Sequence, residues 1–289
     1  MSKAMPDKVC KFSHKAMNGL FEIFIAHEDN VYSEQAAGMA FDELDRLEGE
    51  LSKYIENSEV SRINALGVGK CLKISLDMLE CLKVCNTLYG ETAGAFDIAF
   101  GSSGRLEVGI GSIRVDAANL TLEVLDDGVV LDLGGFAKGY AIDKMKAVLE
   151  EWEIDSGLLH GGFSSVLAIG DCPGGKGWPV TMSSPASDGG LIANLRLKGG
   201  ALGASGLKKG QHIIDPRSGK KLCGIKAAWA GAENASVADG LSTAFMIMSD
   251  DEIGNYCRKH SERGAVIVEV ENGKVNRRVF GKWEEATFV

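Results

Sequence analysis

Strand-like and helix-like patterns follow one another along this chain without a regular βα alternation, and that order constrains the fold more than any single motif. A doubly wound parallel sheet needs strands and helices one for one. Strand-rich blocks separated by occasional helices predict an α+β fold instead, two-lobed, with mainly antiparallel sheets, flanking helices and a cleft between the lobes. Residues 21–26 read as a strand, and 33–54 carry Ala, Met, Phe and Leu at helical spacing with acids opposite. Ser75 is placed to cap a second helix that runs to about Leu88 and gives way to the segment Gly90-Glu-Thr-Ala-Gly94. Asp126-Asp127-Gly128, between two β-branched runs, is the clearest hairpin signal. Beyond it the spacing predicts a helix over Ala137–Glu151 and several strands within 158–214. A strand at 225–230, helices at 237–248 and 251–259, and strands at 265–270 and 275–280 complete the pattern.

With 289 residues, 45% apolar and 25% charged, the chain is expected to be a folded enzyme, and 37 glycines against 5 prolines argue against a linker protein. Residues 1–16 are expected to be a flexible N-terminal segment and 17–289 a single domain. The formal charge of −9, with no Lys or Arg block longer than a pair, excludes a nucleic-acid groove. An anionic ligand would therefore need local help from a metal. No apolar run is long enough to span a bilayer, and the opening MSKAMPDKVCKF has no apolar core of the kind a secretory signal needs. A cytoplasmic protein without membrane insertion is expected, with removal of a leader as the alternative. The 7 cysteines form an odd set without a CxxC pair, which fits neither a disulfide framework nor a zinc ribbon. Cys81 and Cys85, one helical turn apart, are either a redox or metal pair or two small core residues.

Chemistry concentrates where glycines meet predicted helices. Gly134-Gly135-Phe136-Ala137-Lys138-Gly139 sits where a strand turns into a helix, so free N–H groups, the helix dipole and Lys138 all favour a phosphate; a plain tight turn is the alternative. It is not a Walker A loop, because Ala137 precedes the lysine. Asp239 and Thr243 lie four apart near the start of a helix, with Ser242 on the same edge. Such hard oxygens suit Mg²⁺, or they only complement the helix terminus. His212-Ile-Ile-Asp-Pro-Arg-Ser-Gly219 is a short strand ending in a turn, where His212 is either a general base or a structural residue and Asp215 a candidate turn cap. Phe96 and Asp97 are likewise open between core and cap on one side and site on the other.

Taken in order, Ser58-Glu-Val-Ser-Arg-Ile-Asn64, Gly94-Ala-Phe-Asp97, Leu131-Asp-Leu-Gly-Gly-Phe-Ala-Lys-Gly-Tyr-Ala-Ile-Asp143, His212 to Gly219 and Ala238-Asp-Gly-Leu-Ser-Thr243 resemble the ApbE family of FAD:protein FMN transferases. The resemblance spans about Met17 to Met248. It implies a cleft holding FAD, with Mg²⁺ on its pyrophosphate and an acceptor protein whose Ser or Thr hydroxyl receives FMN as AMP leaves. By this likeness the metal meets the carbonyl of Ala137 and the side chains of Asp239 and Thr243, with Ser242 where many relatives place another ligand. FAD contacts are implied at Met17, Tyr54, the Ala95-Phe96-Asp97 segment, the turn from Gly134 through Lys138 to Tyr140, and the strand from His212 to Ile214. His212 and Asp239 are the implied catalytic residues. Departures from the family pattern stand at Met17-Asn18-Gly19, Phe163-Ser164, Ala204 and Lys221. Two other activities fit the same motifs: an Mg²⁺-dependent FAD pyrophosphatase with water as acceptor, and FAD binding without catalysis.

Overall fold

The computed structural model describes residues 8–100, 106–185, 190–207, 213–271, 274–283 and 286–288. An eight-stranded sheet organises them, every neighbouring pair antiparallel, in the order β1-β2-β6-β7-β10-β11-β12-β13. These strands are β1 (Val9–Ala16), β2 (Gly19–Ala26), β6 (Gly157–Gly161), β7 (Ser165–Ile169), β10 (Gly200–Gly206), β11 (Ile225–Ala232), β12 (Gly264–Glu271) and β13 (Lys274–Phe280). A three-stranded sheet of β8 (Trp178–Ser183), β9 (Leu191–Leu197) and β14 (Thr287–Phe288) covers one face of the large sheet, and Trp178, Val180 and Met182 alternate inward from β8. A second small sheet joins β3 (Cys71–Lys73), β4 (Ile113–Asp116) and β5 (Thr121–Val124).

The other face carries the helices: α1 (Asn30–Leu51), α2 (Glu59–Asn64), α3 (Leu76–Glu91), α4 (Ala137–Glu151), α5 (Ala235–Ile247) and α6 (Asp250–Lys259). The period of two along β2 separates the layers, sending Phe21, Ile23 and Ile25 to the helices and Phe24 and Ala26 to the small sheet. α5 is buried almost all round, between α4, α3 and the strands β10 and β11, as its run of Ala, Val, Leu and Phe requires. Two glycines permit that depth. A Cβ on Gly139 of α4 would lie 2.2 Å from Ala235 O, and one on Gly203 of β10 would lie 2.3 Å from Ala238 O. Cys81 and Cys85 face this core at 0% exposure, and burial pushes both thiols well above the ordinary range, which makes them core residues.

The segment before residue 17 differs from its expected flexibility, since Val9–Ala16 forms β1. It pairs with β2 in full register through a turn at Met17 (φ 49) and Asn18 (φ 56). Two consecutive left-handed residues give the primed hairpin turn that matches strand twist, and Met in place of Gly or Asn hid the signal. The expected hairpin at Asp126-Asp127-Gly128 is absent: β5 pairs with β4 across residues 117–120 instead. The run after Gly128 is buried, but its backbone groups bond elsewhere. Asp132 N donates to Ile98 O at 2.7 Å, and Leu131 is held by a side chain described below. Helix α1 starts three residues earlier than its pattern suggests, because Asp29 accepts from Val31 N and Tyr32 N, and it ends at Leu51, which leaves Lys53 and Tyr54 in the following turn.

Candidate active site

The strand-to-helix turn meets α5 at one point. Phe136 N and Ala137 N both donate to Leu133 O, at 2.8 and 2.7 Å, which tightens the glycine turn and starts α4 at Ala137. Asp239, on the first turns of α5, accepts from Gly139 N at 2.8 Å and from the Ser165 hydroxyl at 2.7 Å to each carboxylate oxygen. It is only 6% exposed. Burial pushes its carboxyl up to about 7 against the opposing field of Lys138 and the bonds from Ser165 and Gly139. An acid so placed is short of positive charge.

Hydroxyls surround it. Ser205 on β10 lies 2.8 Å from the Ser242 hydroxyl and 3.2 Å from that of Thr243, while Ser242 and Thr243 donate back to Asp239 O at 2.9 and 3.3 Å. Thr243 faces the turn directly, because a Cβ on Gly135 would stand 3.1 Å from its Oγ1. Asp143 on α4 accepts from Ala235 N and Ser236 N at 2.8 and 2.9 Å, capping the N-terminus of α5 and fixing the two helices in register.

The remaining segments converge on this junction. Phe96 packs against Gly240, beside Asp239, and its backbone N–H donates to the buried Thr92 hydroxyl at 3.1 Å. Ala95 and Phe96 are themselves buried, and Ala95 N donates to Thr92 O at 3.1 Å. Asp97 accepts from Ala99 N at 2.8 Å and from Ile110 N, and burial raises its carboxyl despite these bonds. Asn64 explains the Ser58 to Asn64 segment: its amide donates to Leu131 O at 3.0 Å and accepts from Leu131 N at 2.7 Å, so a side chain takes the place of a strand beside the run that enters Gly134. Asn64→Ala is expected to lower stability by about 2 kcal/mol, from two bonds at about 1 kcal/mol each. Urea unfolding measures this, and a loss below about 0.5 kcal/mol would show that the clamp is idle.

Gly19, just after the Met17 turn, packs against the turn between β6 and β7: a Cβ on Gly19 would lie 3.1 Å from Gly162 Cα, and one on Gly162 would lie 3.5 Å from Lys138 Cδ. Met17 N donates to Glu48 Oε1 at 2.7 Å. Phe163, one of the departures from the family pattern, is 78% exposed at φ 63 in the turn between β6 and β7. Tyr54 stands 86% exposed beside the Gly134 turn, tied to it by the Lys53 to Asp132 ion pair at 2.6 Å. Ile214 bridges Lys221 in a hairpin whose turn is closed by Asp215, which accepts from Arg217 N and the Ser218 hydroxyl at 2.9 Å each. Arg217 of that turn lies over Gly94.

Tyr140 packs against α3. It is 4% exposed and its hydroxyl donates to Asp77 and Glu80 of α3 at 2.8 and 2.9 Å, so its side chain belongs to the core between α3 and α4 and not to a ligand surface. His212 lies outside the described residues. Sequence patterns passed over Ser165, Ser205 and Lys53. A buried serine opening β7 just after Gly161-Gly162 was the available signal for Ser165.

The architecture and the site define a class: α+β proteins in which a glycine turn and a buried helix bring one carboxylate and several hydroxyls together. A family model described as the ApbE family matches residues 17–268. The chain belongs to the ApbE family. A FAD:protein FMN transferase of Haemophilus influenzae is 25% identical over 269 residues, covering 80% of this chain and 78% of that protein. One of Rhodobacter capsulatus is 30% identical over 142 residues, covering 46% of this chain and 27% of that protein. The flavin transferase ApbE from Vibrio cholerae superposes with a TM-score of 0.84 at 19% identity, covering 95% of this chain and 98% of that one. The Pseudomonas stutzeri flavinyl transferase ApbE in its apo form gives 0.83 at 23% identity, covering 97% and 96%. Among the described residues, no helix is long and apolar enough to cross a membrane.

Proposed function

We propose that the chain transfers the FMN half of FAD to a Ser or Thr hydroxyl of an acceptor protein, releasing AMP, in a reaction that depends on Mg²⁺. The observation that carries this reading is the bond from Gly139 N to the buried Asp239 carboxylate, which joins a phosphate-suited turn to an acid in need of a cation. Family membership and the names of the relatives support the chemistry. Among the described residues no cluster of three or more His, Cys, Asp or Glu exists, so an ion here would rely on one carboxylate, hydroxyl and carbonyl oxygens and its own water or substrate oxygens. That donor set suits Mg²⁺ better than a transition metal. Asp239 and Thr243, with the Ala137 carbonyl and Ser242 alongside, would hold it. An Mg²⁺ ion held by these residues would supply positive charge to the phosphates.

The chain's own groups do the rest. The first turn of α4 and Lys138 bind the phosphates, and Tyr54 offers a flat face to an aromatic ring of FAD. His212 takes the proton from the acceptor hydroxyl as its oxygen forms a bond to the FMN phosphorus and the bond from that phosphorus to the AMP oxygen breaks. Tyr54→Ala is expected to weaken FAD binding about fivefold, the value of one ring contact. Fluorescence titration measures it, and equal affinity would remove Tyr54 from the site. Incubation with FAD, Mg²⁺ and a candidate acceptor domain tests the transfer itself. Covalent flavin on the acceptor is expected; free FMN plus AMP would assign hydrolysis instead.

A further inference from the structure

Lys53 contacts two parts of the expected cleft, the turn at Gly134 through Asp132 and the ring of Tyr54. It follows Ser52, the C-cap of α1, and its carbonyl accepts from the Ser61 hydroxyl at 3.2 Å, which fixes the backbone here. The ammonium lies 2.6 Å from Asp132 Oδ2, and Asp132 Oδ1 accepts from Gly134 N at 2.9 Å, so Lys53 acts on the glycine turn through one carboxylate. The same ammonium sits 5.2 Å from the centroid of the Tyr54 ring, whose side chain is otherwise open to solvent.

We propose that Lys53 is a positioning residue of the FAD site, a single cation that holds the ring platform of Tyr54 in fixed relation to the turn at Gly134. The inference rests on the functional reading above. An exposed ion pair alone contributes little to stability, and so does an exposed cation over a ring. One cation shared between a carboxylate and a ring orders both side chains before a ligand arrives, and that ordering no longer opposes binding. The Lys53 and Asp132 side chains are 31% and 38% exposed, a setting in which an ion pair adds little to stability.

Titration of FAD with acceptor omitted, on the full chain, tests this through a double-mutant cycle. Lys53→Met should weaken FAD binding about fivefold, and Lys53→Arg, which keeps a cation, should stay within about twofold of wild type. Tyr54→Ala should cost clearly less affinity in the Lys53→Met background than in wild type. A stability role alone would leave the two Tyr54 penalties equal. Wild-type affinity in Lys53→Met, or equal Tyr54→Ala penalties in both backgrounds, would overturn the inference. Failure of the wild-type chain to bind FAD would remove the functional reading and this inference with it.

Discussion

Asp239→Asn will melt at a higher temperature than the wild-type chain at pH 8 in chelator, and will lose FAD cleavage. The folded carboxyl is pushed up to about 7 from an ordinary 3.8, by burial first. The unfolded chain therefore sheds this proton at lower pH than the folded one. Between the two values the native state binds more protons than the unfolded state, so stability falls as pH rises through that window and stays low above it. A shift of that size corresponds to about 4 kcal/mol. Asparagine keeps the shape, accepts from Gly139 N and carries no charge, but forgoes the charge-assisted bonds from Ser165. A net gain of about 2 kcal/mol, roughly 5 °C, is expected at pH 8, shrinking towards zero near pH 4. A lower melting temperature for Asp239→Asn at pH 8, or a gain that does not shrink in acid, would contradict the description of this carboxylate.

Gly139→Ala will destabilise the chain by about 3 kcal/mol or more and leave little active protein. Alanine has the higher helix propensity, worth about 1 kcal/mol in the interior of a helix such as α4. The new Cβ would stand 2.2 Å from Ala235 O and 2.5 Å from Ala235 C, both backbone atoms that move only with α5. The clash wins, and it pulls Gly139 N away from Asp239. Gly38 in α1 is the control, because nothing lies within 4 Å of its Cβ position and propensity alone should then stabilise Gly38→Ala by about 1 kcal/mol. Chemical denaturation of both variants measures the contrast. Similar stabilities would show that α4 and α5 are not in the contact described.

The turn from Leu131 to Gly139 was legible because glycines, a helix start and a lysine coincide there, and α4 begins and ends where its periodicity places it. Asp239 and Thr243 were legible as a helical pair from their spacing, whereas their meeting with the turn at Gly135 to Gly139 followed only from the family resemblance, since separation along the chain carries no local signal. The fit of α5 against α4 depends on Gly139 and Gly203, and in a sequence rich in glycine those two look like any others. β1 and its turn were missed because Met17 occupies a left-handed position that Gly or Asn usually takes. The Asp126-Asp127-Gly128 hairpin failed for a different reason: the buried run after it finds its partners in the Asn64 side chain and Ile98, a long-range arrangement that alternation cannot reveal. Tyr140 entered the expected site by its place in the motif, and no local pattern signals that its hydroxyl is held by Asp77 and Glu80 of α3.

The most direct test supplies FAD and Mg²⁺ and weighs co-expressed proteins by mass spectrometry while AMP is quantified. The account predicts a protein carrying covalently bound FMN, AMP released in equal amount, and loss of both in Asp239→Asn. FAD left intact by the wild-type chain in the presence of Mg²⁺ would contradict it.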